Sequence, residues 1–179
     1  MELETERLLL RPPAASDVDD YIRFMSDPDV VRYLGDGAVK PPEDIADTLA
    51  SHIVSHERDG YGLCTVLRKR DGAFLGRVGL LVWNAATWRP TTAAEAFGPT
   101  ETEVGWAIAR EHWGRGYATE AALAVRDFAL GELGLTRLIS LIQQGNAASI
   151  RVAEKLGERL EQRHLHGFSR PTDLYALQR

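Results

Sequence analysis

The residues best typed and spaced for chemistry lie between Arg110 and Ala121, which read REHWGRGYATEA. Gly114 and Gly116 flank Arg115, just after an alternating run (TEVGWAIA) and just before a long stretch free of proline. A turn at the end of a strand and the start of a helix presents unpaired N–H groups and partial positive charge, which suit a phosphate or pyrophosphate. Glycines remove the Cβ atoms that would hold an anion off the backbone, and Arg110 and Arg115 add formal charge. A tight strand-to-helix turn that merely needs glycine accounts for the same residues. The stretch is no Walker loop, because no Lys-Ser or Lys-Thr follows the second glycine, and its spacing is not G-x-G-x-x-G.

Other reactive side chains say less. His52 and His56 are spaced i, i+4, but no glutamate sits beside His52 as a zinc protease helix requires, so both read as surface positions. His164 and His166 alternate as on a strand. Cys64, the only cysteine, lies within GLCTVL and reads as a small apolar strand residue. It excludes an intrachain disulfide and a thiolate zinc cluster.

The elements that position the turn follow from periodicity. TERLLLRPP predicts a first strand stopped by Pro12 and Pro13. Ser16 with Asp19 predicts a capping box, followed by a helix with Val18, Tyr21, Ile22 and Met25 on one face. A short helix is expected in DPDVVRYL and a longer one over 41–60. Asp71-Gly72 predicts a hairpin over 61–83. Residues 84–100, rich in Ala and Thr and broken by prolines, predict a long loop. A strand over 102–109, a helix over 117–133 and a strand over 136–143 form a unit whose connection should be right-handed. A helix over 146–157 and two closing strands complete one α/β domain spanning 1–179, with a mixed sheet.

Composition sets outer limits. With 44% hydrophobic residues the chain can bury a proper core. Lys plus Arg number 21 against 26 Asp plus Glu, a net charge of −5, which argues against broad nucleic-acid binding. No run approaches the ~20 apolar residues of a membrane span, and the acidic start MELETE is unlike a signal peptide. A soluble, cytoplasmic protein is expected, with neither nucleic acid nor membrane as partner.

EVGWAIAREHWGRGYATEA followed by NAASIRVAEKLG resembles the acetyl-CoA-binding core of the GNAT N-acetyltransferases, nearest the RimJ/RimL branch that acetylates ribosomal-protein N-termini. ETERLLLRP, LGRVGL and TDLYAL extend the likeness; the insert 83–102 does not match it. The resemblance implies a mostly antiparallel mixed sheet, splayed between two parallel strands at about 102–109 and 136–143, with helices on both faces. It implies acetyl-CoA as cosubstrate, with no metal. Its pyrophosphate would sit on the backbone of Gly114, Arg115, Gly116, Tyr117 and Ala118, with Thr119 nearby. The pantetheine arm would run beside Trp106 and Ile108, and Asn146 and Ser149 would face the arm and thioester. Asn146 is equally a good plain N-cap.

The implied reaction moves an acetyl group to a primary amine by direct attack. Protonated amines must first lose a proton, which a positioned base can take. Glu103, immediately before the anion turn, is the candidate, with Glu101 as its alternative and an ordinary exposed strand residue as the plain reading. A tyrosine that many relatives place seven residues after the asparagine is Ala153 here, so Ser149 is left to stabilise the departing thiolate. A protein N-terminus and a small amine remain open as acceptor, as does a catalytically silent acetyl-CoA-binding module. Loops around 34–42, 83–102 and 164–172 would shape the acceptor pocket. A homodimer is also left open.

Overall fold

In a computed structural model, residues 1–92, 95 and 97–179 are described. The chain runs β1 (Leu3–Glu4), β2 (Leu8–Arg11), α1 (Val18–Met25), α2 (Pro28–Val31), α3 (Pro42–Asp59), β3 (Leu63–Arg68), β4 (Ala73–Asn84) and β5 (Arg89–Thr91). It continues with β6 (Thr100–Ile108), α4 (Tyr117–Gly131), β7 (Arg137–Gln143), α5 (Ala147–Leu156), β8 (Arg159–Gln162) and β9 (Thr172–Gln178). The strands form one sheet in the order β1-β2-β3-β4-β6-β7-β9-β8, with β5 attached to β4. All neighbours pair antiparallel except β6 and β7, which are parallel. That pair meets in register at one position, Glu103 opposite Ile139. Beyond it the strands part.

Each face of the sheet carries helices, because side chains along a strand alternate between faces. Val104 and Leu138 point toward α4, joining Leu8, Leu10, Val66 and Val78 in the main core. The facing stripe of α4 is made of small residues: Ala121, Ala122 and Ala129 are fully buried with Val125. Small side chains let the helix lie close on the sheet, which fixes its N-terminus directly above the end of β6. The opposite face is covered by α1 to α3. There Tyr21, Ile45 and Leu49 pack together, and Tyr21, Phe24 and Phe74 meet edge to face at centroid distances of 5.4–6.4 Å.

The splayed parallel pair and the two helical layers agree with the expectations above; several local readings need correction. The helix after Pro13 is not opened by a Ser16 capping box. Ser16 lies within a 3₁₀ turn, Ala15–Asp17, and the buried Asp17 carboxylate takes the Ala14 N–H (2.9 Å) and the Arg11 guanidinium (2.6 Å). The carboxylate that reaches back ahead of the helix is thus Asp17, three residues after Ala14, and not Asp19. The stretch 84–100 contains β5 and the start of β6, because Pro90 lies opposite Trp83 at a sheet edge, where its missing N–H costs nothing. Of that stretch, residues 93, 94 and 96 lie outside the described residues. His164 and His166 fall in the β8–β9 loop, His164 at φ 54°. His56 is buried rather than superficial, and His52 has its Nδ1 buried without a partner among the described residues.

Candidate active site

Helix α4 starts at Gly116, whose φ of 80° is left-handed, and Gly114 is left-handed too at 72°. No side chain caps this helix, and its first internal bond runs from Glu120 N to Gly116 O at 3.0 Å. The amides of Tyr117, Ala118 and Thr119 precede that bond and point out of the helix end. An ordinary surface helix would carry Ser, Asp or Asn here; this one leaves its donors for something else. The backbone of Gly114, Arg115 and Gly116 is exposed beside them. The Tyr117 side chain, by contrast, is buried in the core.

One residue that sequence reasoning passed over holds this turn in place. Arg7 donates from Nη1 to the Arg115 carbonyl (3.1 Å) and from Nε to Glu120 (2.6 Å), and it stacks 4.6 Å above the Tyr117 ring. Its only signal was its place in ETERLLLRP. Arg7 and Lys155 also line a groove that continues past Gly116, Thr119 and Leu123, together with the carboxylates of Glu6 and Glu120, the second of them paired with Arg7.

The second helix N-terminus flanks the other side of the gap between β6 and β7. Asn146 caps α5, its Oδ1 accepting the Ser149 N–H at 3.2 Å. The Ser149 hydroxyl accepts the Trp106 indole N–H at 3.3 Å. With that lone pair engaged, the Ser149 proton is free to point elsewhere. Ile108 is in the core, and its carbonyl is taken by the Trp113 indole at 2.6 Å. Trp106, Asn146 and Ser149 are thus brought together, while the Ile108 side chain turns inward.

Glu103 sits where the strands separate, on the face opposite Trp106. It is buried, not an ordinary exposed strand residue. In an unbroken ladder the Leu141 N–H would bond β6 backbone; with the strands parting, it donates instead to Glu103 Oε1 (3.2 Å), while Trp83 Nε1 donates to Oε2 (2.7 Å). Burial pushes this carboxyl up to about 7, against the pull of those two donors and of Arg77. The alternative, Glu101, is held by Arg137 at 3.0 Å, which also binds Glu161. A second buried carboxyl, Glu158, lies behind the seam beside Ser140, and burial pushes it up to about 8. The Ser140 hydroxyl itself donates to the Val104 carbonyl at 3.1 Å.

The three loops singled out from sequence converge on the Glu103 face. Gln143 Nε2 donates to Gly35 O (2.6 Å) and Tyr33 to Gly145 O (3.2 Å). Trp83 and Trp88 both pack on Phe168, at 5.9 and 6.2 Å between centroids. An aromatic wall therefore stands beside Glu103. Cys64 is remote from all this chemistry: buried in β3, its thiol is pushed up to about 12, so no thiolate forms near neutrality. Among the described residues no three His, Cys, Asp or Glu side chains converge as metal ligands would. Among the described residues no helix is long and apolar enough to cross a membrane.

Two helix N-termini thus flank a gap between parting strands. The acetyltransferase (GNAT) domain profile matches residues 7–159, and the chain belongs to that family. It is 33% identical over 159 residues to the protein YkkB of Bacillus subtilis strain 168, covering 87% of this chain and 84% of that one. The crystal structure of an acetyltransferase from Agrobacterium tumefaciens C58 superposes with a TM-score of 0.77 at 30% identity, over 100% of this chain and 95% of that one. RimL, a ribosomal L7/L12 α-N-protein acetyltransferase solved with coenzyme A, shares the fold at a TM-score of 0.76 and 17% identity, over 99% and 98% of the two chains. The protein is an acetyl-CoA-dependent acyltransferase.

Proposed function

We propose that the protein acetylates a primary amine, with the cofactor bound from the α4–α5 side and the acceptor entering from the α1–α3 side. The observation that carries this reading is Glu103, a buried carboxyl poised at about 7 where the strands part. The free amides of Tyr117, Ala118 and Thr119, with the exposed turn Gly114-Arg115-Gly116, suit the pyrophosphate. Lys155 suits a phosphate beyond it, while Arg7, paired with Glu120, steadies the turn. Trp106 and Asn146 border the pantetheine arm.

Glu103 takes the proton from the incoming ammonium, directly or through a water. The neutral nitrogen attacks the acetyl carbonyl; a C–N bond forms, the C–S bond breaks, and the nitrogen's second proton balances the departing thiolate, which leaves as the thiol. Backbone N–H groups along Trp106–Ile108, facing the gap, stabilise charge on the carbonyl oxygen. Ser149, its lone pair held by Trp106, directs its proton to the departing thiolate. A thiol pKa near ~8.5 needs no stronger acid. A base near 7 is better matched to an α-amine, with pKa about 7.7–8, than to a lysine at about 10.4. This favours a free N-terminal-type amine over a side-chain amine.

The test is coenzyme A thiol release from acetyl-CoA, measured against N-terminal peptides and small amines. Acceptor-dependent release at neutral pH is expected, faster for α-amines. Tight acetyl-CoA binding without release for any amine would make the protein a binding module instead.

A further inference from the structure

The face that carries Glu103 also carries an arginine with no counter-ion. Arg77 lies on β4 opposite Ala107, and Glu103 lies opposite Leu81, so both side chains emerge on the α1–α3 side. Among the described residues Arg77 joins no ion pair and donates no side-chain hydrogen bond, although burial pulls its pKa down. The carboxylates near it are engaged elsewhere. Asp17 is spent on Arg11, Ala14 N and the Thr65 hydroxyl (2.8 Å), and Glu103 on Trp83 and Leu141 N. The other polar groups around it are neutral: the Tyr21 hydroxyl bonds Thr65 at 3.4 Å, and the His52 ring is pushed down to about 4 by burial and by Arg77. The buried Nδ1 of His52 has no partner among the described residues. A half-buried guanidinium is costly to leave unpaired, and its planar fork matches a carboxylate.

Resting on the acetyl-transfer reading above, we propose that Arg77 binds a carboxylate carried by the acceptor, making the substrate an amine that bears its own anion. The four-residue offset along the paired strands sets the two Cα positions ~13 Å apart. Side chains reaching toward one another leave several Å between amine and anion, longer than a single amino acid and suited to a short peptide with a free C-terminus. The aromatic wall of Trp83 and Phe168 stands on the other side of Glu103 and would take an apolar first residue.

The experiment compares L-phenylalanine, Phe-Gly and Phe-Gly-Gly with their C-terminal amides as acceptors, in wild type, Arg77→Met and Arg77→Lys. Wild type is expected to favour a peptide acid over its amide at least tenfold in kcat/KM, mostly through KM. Arg77→Met should erase that preference, read as the acid-to-amide ratio at one pH so that any change in Glu103 affects both acceptors alike, and Arg77→Lys should restore part of it. Calorimetry on the wild-type coenzyme A complex, with N-acetyl-Phe-Gly and its amide, reads the same preference without turnover or a variant. Equal behaviour of acid and amide in both measurements, including no binding of either, overturns the inference and leaves acetyl transfer standing. Failure of acetyl-CoA itself to bind overturns both.

Discussion

The two faces of the sheet at β6 solve different problems with different materials. On the α4–α5 face the groups offered are mostly backbone: uncapped amides, two left-handed glycines and an N-cap asparagine. On the α1–α3 face they are side chains drawn from distant parts of the chain: Trp83, Arg77, Glu103 and Phe168. Even the two carboxyls that burial raises differ. Glu103 has two donors and stands at about 7, whereas Glu158 has one oxygen without a partner among the described residues and stands at about 8. Backbone donors hold a group common to a whole family at fixed geometry. Side chains can be exchanged, and they set what an individual enzyme accepts.

Substitutions that separate the faces sharpen this contrast, and the largest effect is expected at the turn. Gly116→Val places a β-branched residue at φ 80°, where an added Cβ meets only Arg7, 3.5 Å away. The surroundings have room, but a β-branched residue strains this left-handed backbone, so the turn itself shifts and acetyl-CoA affinity should fall more than about 100-fold by calorimetry. Unchanged affinity would show that the backbone turn is not the site.

On the acceptor face, Glu103→Gln should lower kcat/KM by about 100-fold near neutrality. Wild-type kcat/KM should fall as pH drops below about 7, where the base becomes protonated. The deficit of the variant should be constant below that pH and close between it and the acceptor's own pKa, about 8 for an α-amine and 10.4 for a lysine. A variant with wild-type rates at every pH would remove Glu103 from the mechanism.

A smaller loss is expected at Ser149. Ser149→Ala should reduce kcat by roughly tenfold with little change in KM, since only the departing thiolate feels it. Cys64→Ala should leave turnover within twofold, and a stable acetyl group on Cys64 in mass spectra would overturn direct transfer.

The smallest effect is thermodynamic. A carboxyl raised in the folded state stabilises the fold fully below its unfolded pKa, and that contribution is lost as pH rises through the folded value. For Glu158 this window runs from about 4.5 to about 8. Glu158→Gln should therefore melt progressively higher than wild type across that window, by a few degrees at its upper end. A difference independent of pH would show that Glu158 does not titrate in the fold.

The same division decided what could be read from the sequence. The turn, the parallel pair and the Asn146 cap were legible because each is local: glycines at fixed spacing, a strand followed by a helix, an asparagine before a helix. What escaped depends on contacts far apart in the chain. Arg7 reaches Arg115 and Glu120 across more than a hundred residues. Trp83 finds Glu103 across a strand pair, and Asp17 accepts the Thr65 hydroxyl from 48 residues along the chain. His56 reads as exposed in a polar stretch of helix, yet it is covered where α3 meets Gly62 and Cys64. Periodicity carries no signal for such pairings.

The single paired position between β6 and β7 has a mechanical consequence. A sheet transmits shear through its ladder, and here the ladder nearly stops, leaving β1–β6 and β7–β9 as two plates riveted along one short seam. The rivets are side chains: Arg137 to Glu101, Ser140 to Val104, and Glu103 to the Leu141 amide. The proposed base is one of them, so a proton taken up by Glu103 would weaken a bond that also joins the plates.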